Sequence, residues 1–474
     1  MEQVIQLVIF FGLTALVGLI TYLKCRKIVR DSSDSKDYFL AGGGLSWIVV
    51  AGSLMMTNIS AEQIVGMNGA QTLLVAWWEI AAAIGLIILA KWLIPIYYKY
   101  NCTTTTELLE RKYNDKGIRA MVSVLFMLGY AFILLPVVLY TGSLFMKSMF
   151  GLSISVTALA IIFAIVGAIY AIFGGLRAIA ISDSLNGIGL LLMGVVVSYL
   201  ALNAVNWDLS GVPIERLTLV GNDQSDIPWH TLLTGMIFIQ VFYWGTNMVI
   251  TQRALAAKSV KEAQKGLYAA VVMKLIIPII VVLPGLVAYK LYGDVGDVAY
   301  GRLVGDILPT WMSGAFAAVM AGAVLSSFNS CLNSAAALYT CDIHQNYINP
   351  KANVKKIGTR VALVFTLISV ALVPVFAESK SIISLLQQLN GLYSMPVLAA
   401  FICALAFKNV SAKAIKVGLV FGVLVYTVFT FIWSPFHFIH MMAITLAATI
   451  LVTLFLSRFV FAAQQDITPL TANT

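Results

Sequence analysis

Apolar residues fill long unbroken stretches of this chain, and polar residues gather between them. Stretches of roughly twenty or more apolar positions run over about 3–24, 45–70, 72–97, 118–148, 153–174, 178–204, 229–251, 268–292, 312–340, 360–377, 381–407, 413–433 and 437–460. A helix needs ~20 such residues to cross the hydrocarbon of a bilayer. The pattern predicts an all-α membrane protein with about 13 transmembrane helices. Strands of a membrane barrel would be short and alternating, and the chain has no such pattern. Met1–Lys24 starts with Glu2, is long for a signal peptide and lacks a small-residue cleavage pattern before its basic run. It reads as a retained helix.

Composition agrees. Hydrophobic residues make up 60% of the chain and charged residues 11%, against ~45–50% apolar and about 25% charged in soluble domains. The net charge of +9 might suggest a nucleic-acid partner, but its distribution points to a bilayer instead. Lys and Arg concentrate in loops on the cytoplasmic side of membrane proteins. With the N-terminus placed outside, the inner loops collect Lys24, Arg26, Lys27, Arg30 and Lys36; Lys91, Lys99, Arg111, Lys112, Lys116 and Arg119; Arg177; Arg253, Lys258, Lys261 and Lys265; Lys351, Lys355, Lys356 and Arg360; Lys408, Lys413 and Lys416; and Arg458. The outer loops hold Lys147, Arg216, Lys290, Arg302 and Lys380. The acidic stretches at 206–228 and Asp294–Asp306 also fall outside. The expected placement is the inner (plasma) membrane, multi-pass, with a cytoplasmic C-terminus and a short polar tail after Phe461.

Cys25, Cys102, Cys331, Cys341 and Cys403 are odd in number and scattered, which implies neither a disulfide framework nor a metal site. The chain has no HExxH, GxSxG or P-loop pattern, which argues against a membrane enzyme and against ATP-driven transport. His437 and His440 lie three apart at an outer loop edge, where a plain structural role suffices.

Function is carried by the polar residues inside the apolar stretches. A charge at the bilayer centre costs about 2.5–3.5 kcal/mol on insertion scales and usually faces a cavity or a partner. Glu62 and Gln63, Glu79, Asp183 and Lys274 stand in such places. Asp183 suits either an interfacial helix start or a functional carboxylate. Glu79 and Lys274 suit either a structural ion pair or a polar site for a hydroxylated solute. Met55–Ser60 breaks an apolar stretch with small polar residues, where transporters unwind a helix and free carbonyls for a cation; Ser and Thr bonding back within an intact helix is the alternative. Ser326, Asn329, Ser330 and Asn333 share one helix face beside Ser327. That face suits either close small-residue packing or hydroxyl ligands for a hard ion. Tyr130, Trp77, Trp78, Tyr243 and Trp244 form an interfacial belt or supply rings on which a sugar stacks.

Several ordered blocks resemble the solute:sodium symporter family, in particular its sodium/sugar cotransporter branch and the bacterial sodium/galactose transporters. They are KDYFLAGGGLSW at 36–47, NISAEQIVGM at 58–67, FGGLRA at 173–178 followed by Ser182 and Asp183, FYWGTN…QRALAAKSVKEAQKG at 242–266, VVLPG at 281–285 and SSFNSCLNS at 326–334. The resemblance spans about residues 36–460. It implies a LeuT-like core of 5+5 inverted repeats at about 45–205 and 229–407. A leading helix and cytoplasmic loop (1–44), an extracytoplasmic loop (206–228) and two trailing helices with a tail (408–474) complete the chain.

The resemblance also implies roles for individual residues. Sodium would be held by the carbonyls of Met56, Ile59 and Ala323 and the hydroxyls of Ser326 and Ser327, with Asp183 and Ser330 at a second sodium site or exit. Sugar would meet Gln63, Glu79, Gln240, Tyr243, Lys274 and Gln387. Met67, Trp78 and Ile383 match outer-gate positions, Tyr243 an inner gate, and Tyr130 a tyrosine near the site. Gln240 replaces the usual Asn, Ala82 a Ser, and Trp78 and Ile383 the gate aromatics Tyr and Phe; such changes set which sugar fits. Asn329 stands where two-sodium members carry Ser or Thr, which favours one sodium per solute. The expected activity is sodium-coupled uptake of a monosaccharide such as galactose or glucose by a monomer or homodimer, with Na+ as coupling ion and no other cofactor. Other expectations compatible with the sequence are a different solute (sugar acid, sialic acid, amino acid or vitamin), proton coupling through Asp183 or Glu79, and a membrane sensor.

Overall fold

The computed structural model describes residues 2–25, 35–379 and 381–461. Arg26, Lys27, Arg30, Lys380 and the polar tail after Phe461 lie outside the described residues, as do the side chains of Cys25 and Arg177. Among the described residues every regular element is helical.

In chain order the main helices are α1 (Glu2–Cys25), α2 (Trp47–Asn58), α3 (Ala61–Ala70), α4 (Leu73–Lys99), α5 (Lys116–Phe150), α6 (Val156–Ala204), α7 (Gly235–Gly245), α8 (Met248–Leu255), α9 (Val260–Ile276), α10 (Pro278–Tyr292), α11 (Thr310–Ile348), α12 (Val354–Phe376), α13 (Ile382–Ala406), α14 (Ala412–Ile432) and α15 (Phe438–Phe459). Two spans are bent pairs, α2 with α3 at 50° and α9 with α10 at 43°. Helices long and apolar enough to cross a membrane, these bent pairs, and the shorter apolar segments Val156–Ile169 and Gly235–Gly245 together meet every apolar stretch of the sequence.

One difference concerns the fifth and sixth stretches, which form a single helical run, α6. That run cannot be straight. Gly167 faces Phe328 and Gly189 faces Val319. Twenty-two helical residues span about 33 Å, whereas nine along α11 span only about 14 Å. With both glycines in contact range of α11, the run must bend between them.

Small residues explain why α11 can sit at the centre. Its Ala, Ser and Gly positions let neighbouring helices approach closely, which is how helices associate where no hydrophobic drive separates them from lipid. A Cβ on Gly142 would lie 2.3 Å from Val324, and one on Gly322 would lie 2.6 Å from Asn186. α11 is buried over most of its length, while α1 exposes Val4, Leu7, Val8 and Phe11 and is tied to α11 by Gln6 Nε2 donating to Ser313 Oγ at 2.8 Å.

The loops sort onto two faces as their charges require. On the basic face, Lys36 donates to Asn101 at 2.5 Å, Lys416 pairs with Asp115 at 2.8 Å, and Asp342 accepts from Arg119 Nε at 2.7 Å and Thr104 at 2.9 Å. Thr106 and Ser123 complete the shell of Asp342. A carboxylate so enclosed tolerates full burial because every lone pair is met. On the acidic face, Arg216 pairs with Asp294 at 2.8 Å and Lys290 with Asp208 at 3.0 Å. There His440 stacks on His230 with ring centroids 4.7 Å apart, and His437 accepts from the Ile439 amide at 3.3 Å. These histidines pin the start of α15 to the approach to α7.

Candidate functional site

Two helix breaks face each other in the middle of the bundle. α2 stops at Asn58; Ile59 (φ −80°, ψ 70°) and Ser60 (φ −99°, ψ −179°) leave helical geometry, and α3 restarts at Ala61. The last carbonyls of α2 and the first amides of α3 therefore lack intrahelical partners. Glu62 and Gln63 fall in the first turn of α3, where the helix dipole favours negative and acceptor groups. The second break was not anticipated from the sequence. α7 ends at Gly245, and Asn247 caps α8 by accepting from the Val249 amide at 3.2 Å. Tyr130 donates to that same Asn247 Oδ1 at 2.6 Å. Tyr130 thus braces the second break instead of lining the cavity described next. The Gly-Thr-Asn run at 245–247, a stop followed by an N-cap, was the available signal.

A small cavity of about 30 Å³ lies between the breaks, lined by Asn58, Gln63, Trp78, Glu79, Ile239, Gln240, Tyr243, Trp244 and Gln387. Five of the six residues expected at a solute site are among them, from four different helices. The sixth, Lys274, stands immediately behind. It donates to Glu79 Oε2 and Asn58 Oδ1 and lies 5.2 Å from the Trp244 ring centre. Gln240 has a partner at each end, with Nε2 donating to the Trp78 carbonyl at 3.0 Å and Oε1 accepting from Trp244 at 3.1 Å. Gln63 Oε1 is buried without a partner. Asn58 donates to the Tyr243 hydroxyl at 3.5 Å. In the sequence Asn58 is one residue of a polar interruption; its bonds link the helix break, the ion pair and the tyrosine. The cavity has room for one or two waters, so a sugar ring requires the walls to part.

Towards the acidic face, Met67 and Ile383 are buried and Trp78 lines the cavity. Gly66 carries α3 against α13 so closely that a Cβ would meet Ile383 Cβ at 3.1 Å. Ile383 thus lies at an α3–α13 contact, beside the residue that precedes Met67. On the other side of the break, α2 lies against α11: Thr57 and Ser330 hydroxyls are 3.4 Å apart. Ala323 is fully buried, and the hydroxyls of Ser326 and Ser327 are buried without partners. Met56 is in van der Waals range of Gly187 on α6. Asp183 accepts from Ser53 at 2.9 Å through Oδ2, and its Oδ1 has no partner. Ser330 accepts from Arg253 Nη2, whose Nη1 donates to the Val249 carbonyl at 2.6 Å. Buried oxygens normally find partners. Unpartnered hydroxyl and carboxylate oxygens of this kind can ligate a hard monovalent cation.

Residues 38–422 match the sodium:solute symporter family. The chain belongs to that family. Its members are sodium-coupled transporters, not enzymes. The chain is 37% identical to the uncharacterized symporter YidK of Escherichia coli (strain K12) over 95% of its own length and 83% of that protein's. It is 32% identical to a sodium/glucose cotransporter of Vibrio parahaemolyticus, covering 89% of this chain and 84% of the relative. It is 30% identical to the sodium/myo-inositol cotransporter 2 of Oryctolagus cuniculus, covering 88% and 68%. A solved Na+-coupled sialic acid symporter in a substrate-bound outward-open state matches over 98% of this chain and 99% of that one, with a TM-score of 0.83 at 19% identity. That likeness fixes the fold: an all-α membrane protein with a LeuT-like core.

Proposed function

We propose that this symporter couples inward sodium flow to uptake of a neutral polyhydroxylated solute, a monosaccharide such as galactose or glucose. The observation that carries the reading is the make-up of the central cavity. Amides of Asn58, Gln63 and Gln387, a carboxylate and three aromatic side chains converge beside a helix break. Such groups bond hydroxyls and cover a pyranose face. The names of the Vibrio glucose and mammalian myo-inositol relatives support the same class. Charge balance argues against a sugar acid, because Lys274 is already neutralised by Glu79 and no spare cation among the lining residues awaits a carboxylate.

In the proposed cycle, sodium sits between the carbonyls of Met56, Ile59 and Ala323 and the hydroxyls of Ser326 and Ser327. It favours the outward-open form by binding that form better. Solute then enters from the acidic face, and Gln63, Glu79, Gln240, Lys274 and Gln387 bond it, with Tyr243 stacked below. Met67, Trp78 and Ile383 close over it. Sodium leaves towards the basic face past Asp183 and Ser330. The two helix breaks, near Ile59 and Thr246, support inverted repeats at 45–205 and 229–407, each opening with a broken helix. The acidic face is proposed to be extracytoplasmic and the basic face cytoplasmic, in the inner (plasma) membrane. The membrane potential then contributes about 2.3 kcal/mol per sodium per 100 mV, about a 50-fold solute gradient.

The test is uptake of labelled galactose, glucose and myo-inositol into proteoliposomes under an imposed sodium gradient, against a potassium control. Sodium-dependent accumulation of one of them is expected. Sodium-dependent tryptophan quenching with no uptake of any polyol would remove the solute class. No response to sodium, with uptake driven by an acid pulse, would replace sodium by protons.

A further inference from the structure

Away from the central cavity, the structure holds a larger one of about 410 Å³, lined by residues of α1, α6 and α11. It runs from an apolar mouth to a polar floor. Leu13 of α1 and Val166 of α6 stand at the mouth, 37% and 45% exposed. Ser326 and Asn329 of α11 stand at the floor, 3% and 0% exposed. Leu13 is near the middle of α1 (Glu2–Cys25), so the mouth opens at the depth of the lipid chains.

Most of the wall is aliphatic, and two of its hydroxyls are engaged within their own helices. Thr14 donates to the Phe10 carbonyl at 2.8 Å and Ser182 to the Ile179 carbonyl at 3.0 Å. Asn329 is different. Neither its Nδ2 nor its Oδ1 has a hydrogen-bond partner, and both are buried. Gly167 of α6 lies beside it, and a Cβ there would sit 3.5 Å from Oδ1. An unmet buried amide is costly, and hydrocarbon offers no water to meet it. The arrangement suits a molecule that brings a donor and an acceptor to Asn329 and apolar bulk to the rest.

Charge and size narrow the class. No charged side chain lines the cavity, so a phosphate or carboxylate head would sit there uncompensated. A hydroxyl fits: its oxygen accepts from Nδ2 and its proton goes to Oδ1. The volume well exceeds the roughly 150 Å³ that holds a benzene molecule and leaves room for a chain of on the order of a dozen carbons.

We propose that this cavity binds a long-chain alcohol, a single-chain amphiphile with an uncharged hydroxyl head, drawn from the bilayer. Its hydroxyl bonds the Asn329 amide, and its chain runs out between α1 and α6 to the mouth. The bound molecule thereby covers the lipid side of α11 at Ser326 and Asn329. The binding depends neither on the solute that the central cavity carries nor on the coupling ion.

The experiment photolabels the purified full chain in phosphatidylcholine nanodiscs with a dodecanol that carries a diazirine at its chain end. Mass spectrometry maps the adducts. Saturable labelling is expected at the mouth, around Leu13 and Val166. At equal bilayer concentration, unlabelled dodecanol should compete about two- to tenfold better than dodecane, the worth of one neutral hydrogen bond. Asn329→Leu should keep the labelling and lose that preference. Gly18 lines the cavity, and a Cβ there would meet nothing within 4 Å. Gly18→Phe should therefore fill the space and block the labelling, and it tests the site even if Asn329→Leu folds poorly. Labelling spread evenly over the exposed residues of α14 and α15 overturns the proposal. So does equal competition by alcohol and alkane in wild type, which would mean an ordinary lipid tail, or labelling that survives Gly18→Phe. Neither sodium nor sugar is present, so the outcome is independent of the transport reading.

Discussion

Lys274 and Glu79 form an ion pair shut off from solvent, the ammonium 0% and the carboxylate 2% exposed. Asn58 and the Trp244 ring complete the surroundings of the ammonium. Desolvating two charges costs several kcal/mol each, and their attraction returns about that much when geometry is good. The pair is therefore near neutral for stability while intact and costly when half removed. A solute hydroxyl that bonds both groups can replace their mutual contact at little cost. Lys274→Met or Glu79→Gln alone should destabilise the fold by about 3–5 kcal/mol, while the double variant should regain most of the loss and still fail to transport. Thermal unfolding of the three variants checks this. A double variant destabilised by the sum of the two single losses would mean that the two groups do not act as a pair.

Ser327 carries the sodium prediction. Its hydroxyl is buried and unpartnered, so removing it breaks no hydrogen bond. Ser327→Ala should leave the melting temperature nearly unchanged and raise the sodium concentration for half-maximal uptake roughly tenfold, the effect of losing one ligand to a charge. A sodium titration of uptake, or of tryptophan fluorescence, reads it directly. An unaltered sodium response would remove Ser327 from the site.

Gln387 enters the cavity from α13, a different helix from those that carry Gln63 and Glu79. Gln387→Ala should raise the half-saturating solute concentration by about two- to tenfold, the worth of one neutral hydrogen bond. The sodium titration should stay as in wild type. A change in sodium affinity with solute affinity intact would reverse the assignment.

Much of this arrangement was legible in the sequence, and the reasons differ by feature. The spans could be read because a bilayer demands long apolar runs, and the family because Asn58–Met67 and Ser326–Ser334 are distinctive. Glu79 and Lys274 announced themselves because charges in such runs are expensive. What stayed hidden depends on three-dimensional neighbours. Asn58 looked like one polar residue among several until its contacts with Lys274 and Tyr243 were seen. Tyr130 looked like a site aromatic, and only packing shows that it braces Asn247. The second helix break escaped notice because the apolar run around Gly245 continues on both sides. His230 lies 210 positions from His440, so their stacking has no local signature.

Asp297 makes the pH dependence of stability predictable. It lies in the acidic-face connection between α10 and α11 and reaches the start of α13, where it accepts from the Ile382 amide at 3.1 Å. Its other oxygen has no partner and lies against Gly69. Burial pushes its carboxyl up from 3.8 to about 7, and the Ile382 hydrogen bond only partly opposes this. The native state therefore holds this proton more tightly than the unfolded chain does. The proton's contribution is fully present below the unfolded value near 4, and it is lost as pH rises through about 7. Asp297→Asn keeps the acceptor for Ile382 and removes the charge. The variant should melt a few degrees higher than wild type at pH 8, and the two should converge near pH 4. Comparing the two at each pH cancels the contributions of other groups on the same face. A constant gap across the range would mean that Asp297 does not titrate there, and a variant less stable than wild type at pH 8 would mean that its charge is stabilising.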